Sequence, residues 1–203
     1  MSDFIQDLRD LNTLVVHERD RGGEDLLQQV KRIGCKSENI WPIPVNLEKK
    51  FDLVFIDVTN QPVDRIKGFL NSNGSEMPTV IALIGYENPS TLNTIFDIGA
   101  HALLTKPVRA AGVLASMLMA RRYWAEQLRF SKDLFKLRDR IINLQKISDA
   151  KFILMRHHGI DDQEAYAVIR KQAMSKRTTT LEIAQSSYAT SVIVEKIHTL
   201  IPF

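Results

Sequence analysis

The sequence predicts an α/β domain built on a doubly wound parallel sheet, followed by a long coiled-coil helix and a small three-helix C-terminal module. Three observations point there. Over roughly the first 110 residues, continuous apolar runs alternate with helical stretches. From Gly112 to His158 neither a proline nor a further glycine interrupts a repeating apolar pattern. From Ala150 to Ala184 short helical pieces are marked off by capping residues and one glycine. The matching division is residues 1–112, 113–146 and 147–203.

Thr13 to Val16 is a short β-branched run and reads as a buried strand. Asp25 to Ile33 follows with Leu26, Leu27, Val30 and Ile33 at helical spacing. Phe51 to Asp57, Thr79 to Ile84 and Ala102 to Thr105 are further apolar strands, with helical segments at Val63 to Leu70 and Ser90 to Ile98 between them. Strands that are apolar throughout, instead of alternating, are covered on both faces, as in a parallel sheet flanked by helices. One more strand is expected near Ile40 to Val45, where Pro42 and Pro44 make it irregular. The single cysteine, Cys35, has no partner for an internal disulfide and reads as a core residue.

A helix from Gly112 to His158 would be roughly 65–70 Å long. A heptad register fits it, with Tyr123, Phe130, Leu137 and Leu144 at one position and Leu134 and Ile141 at the other. Ala120 and Gln127 fill the weaker early sites. This pattern predicts a parallel homodimer; the plainer reading is one long helix folded back on its own domain. A second stripe, Leu128, Phe135 and Ile142, is expected to pack on the first domain or on other helices. Arg121, Arg122, Arg129, Lys132, Lys136, Arg138 and Arg140 read as its solvated face.

In the last module Gly159 stands where a left-handed helix stop costs least. Asp161 and Glu164 have capping-box spacing, and Thr179 and Glu182 repeat it. Ala165, Ile169 and Ala173 form one buried stripe, with Tyr166, Arg170, Met174 and Arg177 beside it. Leu181, Ala184 and Tyr188 share a face of the third helix. His157 and His158 are adjacent, so they point about 100° apart and do not chelate together; they read as helix-end residues favoured by the dipole.

The net charge of +3 is unevenly divided. Up to Ala110 there are 12 Lys/Arg against 15 Asp/Glu; from Ala111 onward there are 15 against 9. A basic end on a slightly acidic end fits a nucleic-acid-binding part joined to a regulatory part, or a solvated basic helix face. No phosphate-cradling loop, dinucleotide fingerprint or Cys/His set at zinc spacing is present in the sequence. No catalytic residue, metal ligand or cofactor is therefore expected, and the reading is not an enzyme. No apolar run has the length of a membrane span, and the acidic, polar N-terminus is unlike a secretory signal, so the expected location is the cytoplasm.

Ala150, Lys151, Leu154, Met155, Gly159, Glu164, Ala165, Ile169, Arg170, Ala173, Met174, Ile183 and Ala184 carry a specific pattern. The block resembles the ANTAR domain, a three-helix RNA-binding module of bacterial antitermination regulators. RIGC at Arg32 to Cys35 and the Trp41-Pro42 step extend the resemblance to the amidase-regulator branch of that family. It implies binding to leader RNA hairpins that compete with a terminator. Lys151, Arg156, Arg170, Lys171, Lys176 and Arg177 would supply phosphate contacts. Arg planes and the Tyr166 or Tyr188 rings are candidates for stacking on loop bases, although Tyr166 reads more readily as core.

The first domain resembles a response-regulator receiver, with a flavodoxin-like fold. At the positions of the receiver's metal-holding acid pair stand His17 and Glu18. Asp57 stands at the phosphoacceptor position. Ile84 replaces the hydroxyl residue ending the fourth strand, Lys106-Pro107 matches the family's Lys-Pro step, and Leu103 replaces the aromatic switch residue. Glu18 and Lys106 are thus remnants beside Asp57. Imidazole is a poor ligand for Mg²⁺, and Ile84 has no hydrogen to donate to a phosphoryl oxygen. The resemblance therefore implies control by a docked partner, a ligand sensor similar to a periplasmic binding protein that releases the regulator when it binds a small amide-like ligand. The rivals are a phosphorylated response regulator acting on DNA and a protein scaffold that binds no nucleic acid.

Overall fold

The computed structural model describes residues 2–46, 49–59, 61–73 and 77–186. Their contacts separate into two compact units, Met1–Arg129 and Phe130–Phe203.

The first unit opens with helix α1 (Ser2–Arg9), which the polar N-terminal sequence did not announce, and continues with β1 (Asn12–Val16), α2 (Arg21–Ile33), β2 (Lys36–Ile40), β3 (Leu53–Asp57), α3 (Val63–Asn71), β4 (Thr79–Ile84), α4 (Pro89–Asp97) and β5 (Ala102–Thr105). All pairings are parallel and the strand order is β2-β1-β3-β4-β5, the flavodoxin-like doubly wound arrangement. β3 and β4 are buried along their whole length because they lie centrally with helices on both faces. On one face Leu14, Val54, Val80 and Ala82 pack with Ile66, Phe69 and Leu70 of α3 and Ile95 of α4. On the other, Val15, Phe55, Ile81 and Leu83 pack with Leu26 and Val30 of α2. Cys35 lies in that second layer, its Sγ donating to the Leu8 carbonyl at 2.9 Å, and burial pushes the thiol up.

β2 departs from expectation. It occupies Lys36–Ile40, ahead of the predicted stretch. Its sequence, KSENI, is polar because it is an edge strand that is only partly buried, so no apolar run marked it.

Helix α5 (Ala110–His158) contributes to both units. Val113, Met117 and Ala120 belong to the second core layer of the first unit. Ala120 is therefore a core residue there instead of an early coil position. Just beyond, Arg121 donates to Thr79 Oγ1 at 2.9 Å and lies 4.3 Å from the Trp124 ring centre. Trp124 Nε1 donates to the Met77 carbonyl at 2.8 Å. Tyr123 stands edge-on to His101 at 6.0 Å, and His101 Nδ1 accepts the Val80 amide at 3.0 Å. These contacts pin α5 to the N-terminal ends of β4 and β5.

In the second unit, Phe130, Leu134, Leu137, Ile141 and Leu144 are all exposed, Phe130 leaving 72 % of its surface to solvent. Of the second stripe, Leu128 is half-buried, while Phe135 and Ile142 are exposed among the described residues. The core of this unit is small: Ala150 of α5, Ile169 and Ala173 of α6 (Asp162–Ser175), and Ile183 and Ala184 in the helical residues 180–186, with Ile147 and Leu154 against them. Alanines at four of its positions, Ala165 included, allow the helices to approach closely. Gly159 ends α5 at φ 65°, its amide donating to the Met155 carbonyl. Asp161 and Glu164 form the capping box, at 2.8 and 3.2 Å. Thr179 and Glu182 repeat the exchange. Tyr188 lies outside the described residues.

Candidate functional site

Doubly wound sheets hold their chemistry at the C-terminal strand ends, near the point where strand order reverses. Here that point lies between β1 and β3. His17 follows β1, Asp57 ends β3, and Lys106 follows β5. Lys106 Nζ donates to Asp57 Oδ2 at 2.6 Å, and the Thr59 amide donates to Oδ1 at 2.9 Å. His17, buried, brings Nε2 to 3.5 Å from Oδ2. Its Nδ1 lies 2.9 Å from the Glu18 carbonyl and 3.4 Å from Asp20 Oδ1. A carbonyl only accepts, so Nδ1 carries a hydrogen. Burial pushes the Asp57 carboxyl up, but the Lys106 and Thr59 hydrogen bonds outweigh it and hold the group below the ordinary carboxylate range.

The start of α2 closes over His17. Asp20 caps it, accepting from the Gly23 amide at 2.8 Å. A Cβ at Gly23 would lie 2.6 Å from the Glu18 carbonyl oxygen and 3.0 Å from His17 Nδ1, so only glycine fits. Beside this cluster is a cleft of about 420 Å³ walled by His17, Asp20, Tyr86, Lys106, Pro107 and Val108, among others.

These residues do not fit a Mg²⁺ site. The oxygen that would ligate the ion is held by an ammonium and faced by an imidazole, and neither group is a hard oxygen ligand. The Glu18 side chain is exposed and does not line the cleft; the acid that does is Asp20. The turn after β1 presents the Glu18 carbonyl to His17 and leaves the Glu18 carboxylate outside the cleft. Among the described residues no group of three or more His, Cys, Asp or Glu is arranged to hold a metal ion. Ile84 is buried in the core and accepts the Lys106 amide at its carbonyl. Asp57 is only 7 % exposed with both oxygens engaged.

The second unit carries the basic residues. Lys151 donates to Asp162 Oδ1 at 2.6 Å, tying α5 to the first turn of α6. Arg156, Arg170, Lys171, Lys176 and Arg177 are exposed, with no acidic partner among the described residues. Arg177 follows α6 at φ 52°. His157 and His158 close α5 and are exposed. Tyr166, read from the sequence as core, is 44 % exposed. It borders the buried stripe one residue past Ala165, and the alanine-rich core is complete without it.

Asp20 was missed, although its place before Gly22, Gly23 and Glu24 is a helix-cap signal. The contacts that Arg121, Tyr123 and Trp124 make with Thr79, His101 and Met77 had no sequence signal, since each joins residues far apart in the chain.

Residues 11–121 match the family described as AmiR, N-terminal, and residues 136–186 match the ANTAR domain. The aliphatic amidase regulator of Pseudomonas aeruginosa is 33% identical over 183 residues, covering 90% of this chain and 93% of that protein. The transcriptional regulatory protein PdtaR of Mycobacterium tuberculosis is 24% identical over 136 residues, 67% of this chain and 66% of that one. Among solved structures, the chemotaxis response regulator CheY4 of Vibrio cholerae aligns at 15% identity and a TM-score of 0.46, over 55% of this chain and 98% of that chain.

Proposed function

The chain belongs to the ANTAR regulators with an AmiR-type N-terminal domain, and from that premise we propose that it is a cytoplasmic transcription antiterminator that binds nascent leader RNA hairpins. The observation that carries this reading is the set of exposed cations on the second unit that have no acidic partner among the described residues: Arg156, Arg170, Lys171, Lys176 and Arg177. Unpaired surface cations gain most from a polyanion, because phosphate contacts release condensed counterions. Lys151, held by Asp162, ties α5 to the first turn of α6.

Two further parts of the reading follow. The exposed seam Phe130, Leu134, Leu137, Ile141 and Leu144, with Tyr123 at its head, pairs two copies as a parallel coiled coil; apolar stripes of this extent are uncommon on monomers. Control comes from a ligand-sensing partner, similar to a periplasmic binding protein, that docks on the first unit. The engaged state of Asp57 favours this over phosphoryl transfer, which needs charge neutralisation and open approach at the acceptor. The survival of the Asp57–Lys106 pair is what favours the rival, a phosphorylation-controlled regulator. No helix among the described residues is long and apolar enough to cross a membrane.

The test is binding of the full chain to a two-hairpin leader RNA and to duplex DNA of equal length across a salt series. The expected result is tighter RNA binding, with the salt slope falling by roughly 0.7–0.9 for Lys171→Ala and no change for Asp57→Ala. Equal or tighter DNA binding overturns the RNA assignment, and a need for an acyl phosphate donor selects the rival.

A further inference from the structure

Tyr166 is an exposed aromatic residue on a unit whose core does not need it. Ala165, Ile169 and Ala173 already supply the buried stripe of α6, and Ile147 and Leu154 are what pack against that core. The Tyr166 hydroxyl has no hydrogen-bond partner among the described residues. One helical turn on stands Arg170, exposed and without an acidic partner among the described residues, and another turn on stands Met174, 71 % exposed. Residues four apart on a helix are surface neighbours, roughly 5–6 Å between Cβ atoms. Tyr166, Arg170 and Met174 therefore make one stripe roughly 12 Å long, with a ring, a guanidinium plane and a polarizable thioether in sequence. Lys171, Lys176 and Arg177 lie on or just past the same helix.

We propose that this stripe is a base-stacking platform, with the Tyr166 ring taking an unpaired RNA loop base and the Arg170 guanidinium stacking on or pairing with its neighbour. The proposal rests on the RNA-binding reading above and adds how sequence is read. The occupant is single-stranded RNA because the exposed cations Arg170, Lys171, Lys176 and Arg177 run along and past the C-terminal part of α6, away from the acidic first turn of Asp162 and Glu164, and so offer phosphate contacts next to an exposed ring that can take a base. Cations alone hold phosphates of any sequence; aromatic and guanidinium planes are used on bases splayed out of loops. An RNA duplex keeps its base faces stacked internally and offers this stripe nothing.

The experiment uses the full chain and RNA hairpins with randomised loops, selected on the wild-type protein. Affinities are measured over a salt series for Tyr166→Ala, Tyr166→Leu and Tyr166→Phe. Circular dichroism verifies that each variant stays helical, and Tyr166→Leu retains apolar bulk without a ring. The alanine and leucine variants should bind about five- to 150-fold more weakly, the range for one stacked base, with an unchanged salt slope, and phenylalanine should restore binding. One abasic loop position should weaken the wild type by a similar factor and the Tyr166→Ala variant hardly at all. Wild-type affinity in the alanine or leucine variants, or equal wild-type binding to a loopless stem, overturns the stacking platform while leaving RNA binding intact. Failure of the wild type to select any RNA, or a preference for duplex DNA, overturns the RNA reading itself and the platform with it.

Discussion

Lys106→Met tests the cluster at the top of the sheet. The substitution keeps the methylene stem and removes the ammonium that donates to Asp57 Oδ2 at 2.6 Å. Asp57 then remains buried with the Thr59 amide on one oxygen and His17 near the other. A hydrogen bond to a charged group contributes about 1.5–3 kcal/mol, and breaking a buried pair from one side costs about 3–5 kcal/mol. The Lys106 side chain is 28 % exposed, so solvent already screens part of the attraction; a loss of about 2–3 kcal/mol follows. Asp57→Asn should cost less, about 1 kcal/mol, because the ammonium left behind can turn to water. The double variant should cost less than the two singles together. The pH dependence has a definite sign. In the wild type Asp57 is held below its ordinary value, so its contribution is present above the unfolded value of about 3.9 and is lost as pH falls through the folded value. In Lys106→Met, burial pushes the carboxyl up with only Thr59 opposing it, so the deficit is largest near neutral pH and shrinks on acidification as Asp57 protonates. Both tryptophans, Trp41 and Trp124, lie in the first unit, so urea unfolding followed by tryptophan fluorescence reports that unit. Equal costs for Lys106→Met and Asp57→Asn, or a deficit that persists unchanged at pH 4, would refute the reasoning.

Other expectations follow from the same geometry. Burial, with the Arg121 charge nearby, holds His101 below its ordinary value, and its Nδ1 must stay unprotonated to accept the Val80 amide; the stability it contributes is present above about 6.5 and is lost as pH falls toward the folded value. His101→Gln, which keeps an acceptor and does not titrate, should flatten the urea midpoint between pH 7 and 5. Gly23→Ala should destabilise the first unit by about 1–3 kcal/mol through overpacking against Glu18 and His17. Gly22→Ala, whose nearest neighbour would be Asp20 Oδ1 at 3.4 Å, should be neutral or stabilising by up to about 1 kcal/mol; equal losses in both would show that the closure over His17 is not tight. Leu137→Asp combined with Ile141→Asp places charges in the seam at a cost of several kcal/mol each, and analytical ultracentrifugation should show the wild-type mass halved; an unchanged mass would rule out the α5 dimer.

The central strands, the helix boundaries at Gly159 and Asp161, and the buried stripe of Ala165, Ile169 and Ala173 could be read directly from the sequence. Each depends on local chemistry: apolar runs covered on both faces, a glycine that accepts positive φ, a carboxylate that reaches an amide three residues on. Asp57 and Lys106 were picked out by the resemblance to a receiver, which placed them at the ends of strands the apolar pattern had already located. What the sequence did not reveal depends on residues brought together from distant positions. The polar edge strand β2 is defined by its pairing with β1 and not by its own residues. His17 took its meaning only when Asp57, Asp20 and the start of α2 closed around it. Arg121 could be read as one more solvated charge until folding set it between Thr79 and Trp124, and Tyr166 as core until three alanine-lined helices packed too closely to need it. Periodicity and capping are encoded within a few residues of chain, so the sequence by itself determines elements; which charge is paired, which ring is exposed and which acid faces the cleft are decided by tertiary packing, because burial and partnership are properties of neighbours in space.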